Sequence, residues 1–194
     1  DNLKDRNVTR YDFRGKSKYI STKDGFLFEL VNNKLMLVLD LNKNENFYFA
    51  NFAEGGLLGV AAVDNKVFVS YSIQTEADNN SLSLVVNEYS MNFSEVRNII
   101  KIEGFDKQHF SGGLQFDSLG KLYLSVGDGN TSGIVNSIQS QNLNSLKGKI
   151  LRLDLSELKL EPEIIAYGIR NAPGISIDSK DRMFVVPCGQ DTVE

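Results

Sequence analysis

One cysteine, one histidine and no long apolar run set the first bounds on this chain of 194 residues. A lone Cys188 excludes an internal disulfide and any metal site built from several cysteines. Free cysteine is habitually buried, so an inert thiol inside the fold is expected there. No stretch approaches the roughly 18–20 apolar residues that a membrane-crossing helix needs, and the most apolar pieces, such as Lys34 to Leu41, are of strand length. No long 3.6-residue period occurs, which removes helical solenoids. Basic residues are not in excess: 21 Lys and Arg lie scattered among 25 Asp and Glu for a net charge of −4, which argues against a nucleic-acid surface. The polar start, Asp1 to Arg6, has no signal-peptide apolar region and no initiating Met, so a trimmed or processed chain is expected.

What the sequence does contain is short strands separated by turn residues. Ser17 to Ser21, Phe26 to Val31 and Lys34 to Leu41 are joined by Lys23-Asp24-Gly25 and Asn32-Asn33, the chemistry of a β-meander. Further strands are expected at Leu57 to Val63, Lys66 to Ser72, Leu82 to Tyr89, Asn98 to Ile102, Leu114 to Asp117, Lys121 to Val126, Lys149 to Leu155, Glu163 to Tyr167, Gly174 to Asp178 and Arg182 to Val186. A polar loop covers Gly129 to Leu146.

A hairpin recurs. Gly113 to Leu124 and Gly174 to Val185 align without a gap at an offset of 61, and a copy from Gly59 to Val69 is one residue shorter in its turn. Lys66, Lys121 and Arg182 mark equivalent places, 55 and 61 residues apart. A period of this length made of about four strands marks an all-β fold, the β-propeller, with one blade per repeat. Between three and a half and four blades can be counted. An open arc would expose sheet edges and the apolar faces between blades, so the polypeptide is expected to continue past Glu194 and before Asp1, with residues 1–194 forming a single incomplete propeller domain.

The hairpin rule also gathers unusual residues at one end of the repeats. His109 precedes the second copy and Asp128 follows it, nineteen positions on, yet the two ends of an antiparallel pair meet. A histidine beside a carboxylate is a general base with a fixed tautomer. Glu54 precedes the first copy, Arg170-Asn171 precedes the third, and Gly189-Gln190 follows it. Glu, His, Asp, Arg and Asn around a shared cavity suit a polar, anionic ligand.

Four segments carry a resemblance: EGGLLGVA (Glu54 to Ala61), HFSGGLQFDSLGKLYLSVGDG (His109 to Gly129), QNLNSLKGKILRLDL (Gln141 to Leu155) and EIIAYGIRNAPGISID (Glu163 to Asp178). In this order they resemble the signatures of the soluble glucose/sorbosone dehydrogenases, six-bladed propellers that use pyrroloquinoline quinone (PQQ) and Ca²⁺. The resemblance implies oxidation of the C1 hydroxyl of an aldose to a lactone, with an external electron acceptor and an extracytoplasmic location. By it, His109 would be the base and Asp128 its orienting partner. Glu54, Arg170 and Asn171 would meet PQQ, and the carbonyls of Gly189 and Gln190 would hold Ca²⁺. The family's remaining cationic cofactor ligands would lie in later blades. Two departures stand out: the family's His-x-Gly-Gly reads His109-Phe110-Ser111-Gly112, and its Arg-Asn-Pro reads Arg170-Asn171-Ala172. A binding module of the same ancestry, like the Hedgehog-interacting protein, and a lactonase-type hydrolase remain as alternatives.

Overall fold

Runs of Val, Leu, Phe and Tyr punctuated by Asn, Asp and Gly favour pleated, half-buried strands over helices. The computed structural model follows that pattern and describes residues 8–12, 18–51, 53–74, 82–94, 96–129, 139–156 and 160–188. The chain divides into two units, residues 1–103 and 104–194.

The first unit holds two four-stranded antiparallel meanders. One comprises β1 (Val8–Asp12), β2 (Tyr19–Thr22), β3 (Phe26–Val31) and β4 (Lys34–Asp40); the other comprises β5 (Leu57–Val63), β6 (Lys66–Gln74), β7 (Leu82–Ser90) and β8 (Val96–Phe105), whose last two residues fall in the second unit. Both two-residue turns expected from sequence are present. Asn32 and Asn33 sit at φ +48° and +61° with Val31 opposite Lys34, and Asp64 sits at +52° with Val63 opposite Lys66. Positive φ at these positions matches the twist of the paired strands, which Asn and Asp tolerate. Tyr19, Leu27, Leu57, Val67, Val69, Tyr71 and Val85 form a common core. Each such buried side chain contributes about 2 kcal/mol by removing apolar area from water.

The second unit contains one four-stranded meander, β9 (Ser111–Phe116), β10 (Leu122–Val126), β11 (Lys149–Leu153) and β12 (Glu163–Tyr167), and a two-stranded hairpin, β13 (Gly174–Ile177) with β14 (Met183–Val186). Leu122, Leu124, Val126, Ile150, Leu151 and Leu153 are fully buried, and the rings of Phe105 and Phe110 stack at 4.9 Å.

The three hairpins share a register. Gly59 lies opposite Ser70, Gly174 lies opposite Val186, and the Gly113 N–H donates to Ser125 Oγ at 2.8 Å. Gly113 is required on steric grounds, since a Cβ there would fall 2.8 Å from the Pro173 carbonyl oxygen. A bulge recurs in the first two copies, placing one extra residue between Leu57 and Gly59 in one and between Ser111 and Leu114 in the other.

Three expectations need correction. Strand β1 was not foreseen, because its polar sequence VTRYD lacks an apolar alternation. β9 starts at Ser111, ahead of the expected Leu114, since the bulge lets Ser111 pair with Val126. Cys188 is exposed, because it follows the two-stranded β13–β14 hairpin, whose Phe184 and Val186 are themselves 54% and 65% exposed.

Candidate active site

One backbone bond closes each hairpin at the end where the unusual residues gather. Ser72 N–H donates to Gly56 O at 3.0 Å, Gly127 N–H to Phe110 O at 3.1 Å, and Cys188 N–H to Asn171 O at 2.6 Å. These are equivalent positions of the repeat. In each, the residue just before the acceptor is held at the mouth of the hairpin: Gly55, His109 and Arg170 respectively.

The second copy carries the His109–Asp128 pair. His109 adopts φ +55°, and its carbonyl oxygen would lie 1.9 Å from a Cβ on residue 127, so only glycine fits there. That close approach brings the next residue, Asp128, beside the imidazole. His109 Nδ1–H donates to Asp128 Oδ1 at 2.7 Å, and the two residues are only 4% and 5% exposed. A carboxylate can only accept, so the Nδ1 proton is fixed and the Nε2 atom carries the lone pair of the neutral ring. Asp128 is anchored in turn by its own N–H, which donates to Arg170 O at 2.8 Å.

The third copy begins in contact with the second. Half-buried Arg170 donates through Nη1 to Cys188 O at 3.3 Å. Buried Asn171 accepts from Ser111 Oγ at Oδ1, 2.9 Å away, and Ser111 Oγ accepts the Ala172 N–H at 2.8 Å. The structure thus brings His109, Asp128, Arg170 and Asn171 onto one hydrogen-bonded rim of the second unit. The guanidinium and the amide are the donors of this rim, and they suit an acid bearing several carboxylates.

Glu54 belongs to the first unit, where it is half-buried. Its neighbours are fixed firmly: Gly56 N–H donates to Ser72 Oγ at 2.7 Å, and a Cβ on Gly56 would meet Lys23 O at 2.2 Å. Gly189 and Gln190 lie outside the described residues. Among the described residues no group of three His, Cys, Asp or Glu could hold a metal ion.

Sequence reasoning missed two lysines. Lys147 Nζ donates to Gly104 O at 2.7 Å and lies 5.7 Å from the Phe105 ring centroid. Burial lowers its pKa, while the nearby Asp128 charge pulls the other way, so Lys147 places a cation near the carboxylate of the pair. Lys149 is fully buried, and its Nζ donates to the carbonyls of Gln139, Ser140 and Lys147 at 3.0, 2.9 and 2.7 Å. Desolvation lowers its pKa too. The only sequence signal was a charged residue opening an apolar strand, which says nothing of three carbonyls waiting for it.

Three four-stranded meanders and a further hairpin are the pattern of part of a β-propeller. Residues 20–193 match the glucose/sorbosone dehydrogenase family, and the chain belongs to that family. Aldose sugar dehydrogenase YliI of Escherichia coli (strain K12) is 27% identical over 148 residues, covering 64% of this chain and 38% of that protein. HIPL1 protein of Arabidopsis thaliana is 31% identical over 130 residues, covering 52% of this chain and 19% of that protein. Among solved structures, the soluble aldose sugar dehydrogenase of Escherichia coli in its apo form superposes with a TM-score of 0.76 at 21% identity, covering 95% of this chain and 58% of that one. A glucose dehydrogenase-like oxidoreductase of Thermus thermophilus gives 0.71 at 22% identity, covering 93% and 57%. The chain spans well under two thirds of the length of these relatives. Among the described residues, no helix is long and apolar enough to cross a membrane.

Proposed function

We propose that the chain is part of a PQQ-dependent aldose dehydrogenase that oxidises the C1 hydroxyl of a sugar to a lactone. The observation that carries this reading is the buried His109–Asp128 hydrogen bond of 2.7 Å in a chain of the glucose/sorbosone dehydrogenase family. In this reading His109 Nε2 accepts the proton of the sugar O1–H as the C1–H leaves with its electron pair. Asp128 keeps the Nδ1 proton in place and stabilises the imidazolium that forms. A positioned base of this kind is worth about 10²–10⁴ in rate.

The bound PQQ would supply two-electron oxidising chemistry, with an external acceptor taking up the electrons. Arg170 and Asn171 would hold its carboxylates as charge-assisted and neutral donors, and Glu54 would meet its quinone end. Calcium, expected on the carbonyls of Gly189 and Gln190, enters no step here. An extracytoplasmic setting is the corresponding proposal for location.

The test is to reconstitute the full-length protein with PQQ and Ca²⁺ and to follow dye reduction by a panel of aldoses. Reduction by at least one aldose is expected, together with a changed PQQ absorption spectrum. No reduction with any sugar and an unchanged spectrum would replace the enzyme with a non-catalytic propeller. Full turnover in His109→Ala would leave the dehydrogenase and remove its base.

A further inference from the structure

Ser111 occupies a position where a side chain is unfavourable. Its φ is +62°, a left-handed conformation that glycine takes without steric cost. The residue is nevertheless buried, and its hydroxyl makes two bonds to the start of the next repeat: it accepts from Ala172 N–H and donates to Asn171 Oδ1. A hydroxyl has a single proton. The Ala172 N–H meets one lone pair of the oxygen, and the proton is directed at Asn171 Oδ1, so the amide oxygen faces Ser111. The amide is flat and two-ended, so its Nδ2 and both of its protons face the opposite way.

We propose that Ser111 is a positioning residue that fixes the Asn171 amide so that it offers donors, not an acceptor, to an acidic ligand. The inference rests on the reading that this rim holds PQQ. It also joins two features that look unrelated in the sequence. A proline at 172 would have no N–H to give, and a glycine at 111 would have no hydroxyl to receive it. Ser111 and Ala172 are therefore two halves of one device, sixty-one residues apart.

The experiment uses the full-length protein and two readouts. The first needs no ligand: the side-chain ¹⁵N–H₂ signals of Asn171, identified by their loss in Asn171→Ala, are followed in Ser111→Gly, a substitution that suits the backbone at 111. They are expected to shift and broaden as the amide turns, and unchanged signals would overturn the proposal. The second is PQQ binding by equilibrium dialysis. Ser111→Gly is expected to weaken it about tenfold, the scale of one well-made hydrogen bond to a charged group. The double variant Ser111→Gly/Asn171→Ala should bind no more weakly than Asn171→Ala alone. Additive losses would show that Ser111 acts through general structure and would overturn the proposal. Asn171→Asp keeps an acceptor for Ser111 but has no donors to offer, and should bind at least as poorly as Asn171→Ala; retained binding would also overturn it. If the unmodified protein fails to bind PQQ, the cofactor reading falls, and the Asn171 amide signals still decide whether Ser111 sets the orientation.

Discussion

In hairpin β9–β10, Asp117 Oδ1 accepts the N–H groups of Leu119 and Lys121 at 3.0 and 2.8 Å; in β13–β14, Asp178 Oδ1 accepts those of Lys180 and Arg182 at 2.9 and 3.0 Å. The left-handed turn position is Gly120 at φ +75° in one and Asp181 at +57° in the other. Asp181 tolerates that conformation, and its carboxylate accepts from the Ser118 N–H and hydroxyl, so it ties the two turns together. At the other end the same closing bond is made by Gly127 and by Cys188. The contrast lies in what surrounds this common frame. β9–β10 is largely buried, with β11 paired alongside β10, and carries His109 against Asp128, whereas β13–β14 is half-buried to exposed and carries Arg170. Register is a local property of the hairpin; its chemistry depends on the two residues that flank it.

Asp128→Asn breaks this contrast most severely, since it leaves the frame intact and removes the fixed negative charge. Aldose oxidation by the reconstituted full-length protein should fall about 10²–10⁴-fold. Unchanged steady-state turnover would mean that the second copy owes nothing special to its pair. Next in size is Gly127→Ala, where the new Cβ would fall 1.9 Å from His109 O. Chemical denaturation should show a loss of about 3 kcal/mol or more, while Cys188→Ala at the equivalent, exposed place should stay within about 0.5 kcal/mol. Equal losses at both places would erase the distinction between the copies.

Lys149→Met asks how far β11 supports the second copy. Three carbonyls lose the ammonium, although Asn142 N–H and Gly168 N–H still reach those of Gln139 and Ser140, and a stability loss of about 2 kcal/mol is expected in the same measurement; no change would assign the support to apolar packing alone. The smallest effect is expected from Lys121→Met. Lys121, with help from Ser156, holds the Asp154 carboxyl down to about 2. The folded state therefore binds this proton less readily than the unfolded chain. The resulting stabilisation is present above about pH 4 and fades as pH falls towards 2. In Lys121→Met the Asp154 carboxyl should titrate closer to the ordinary carboxylate value, and a ¹³C-detected titration that showed no rise would refute the pairing. The thermal midpoint should move only slightly, because exposed ion pairs contribute little.

The repeat was legible in the sequence because its determinants are local. Asn32-Asn33, Asp64-Asn65 and Ser118-Leu119-Gly120 each encode a turn, and Gly59, Gly113 and Gly174 mark the same register point. The meeting of His109 with Asp128 followed from the same reasoning, since antiparallel pairing brings the two flanks together. Other features were set by neighbours distant in sequence. The strain at Ser111 could be anticipated from a missing glycine, but its bonds to Asn171 and Ala172 depend on how the second copy meets the third. Lys149 reads as a charge at a strand end and is buried because three carbonyls converge on it. Cys188 was misjudged because the general habit of cysteine was applied to a residue beyond an exposed hairpin.

The closing bonds of the hairpins involve main-chain atoms alone, so the side chain one step upstream of the acceptor is not needed to make them. Imidazole occupies that place in one copy and guanidinium in the other without any change in how the loop is tied. The closing bond is thus kept although the backbone at His109 is left-handed and that at Arg170 is not. Duplication followed by change at these places is an economical way for a lineage, or a designer, to fit new reactivity onto a frame tied in the same way.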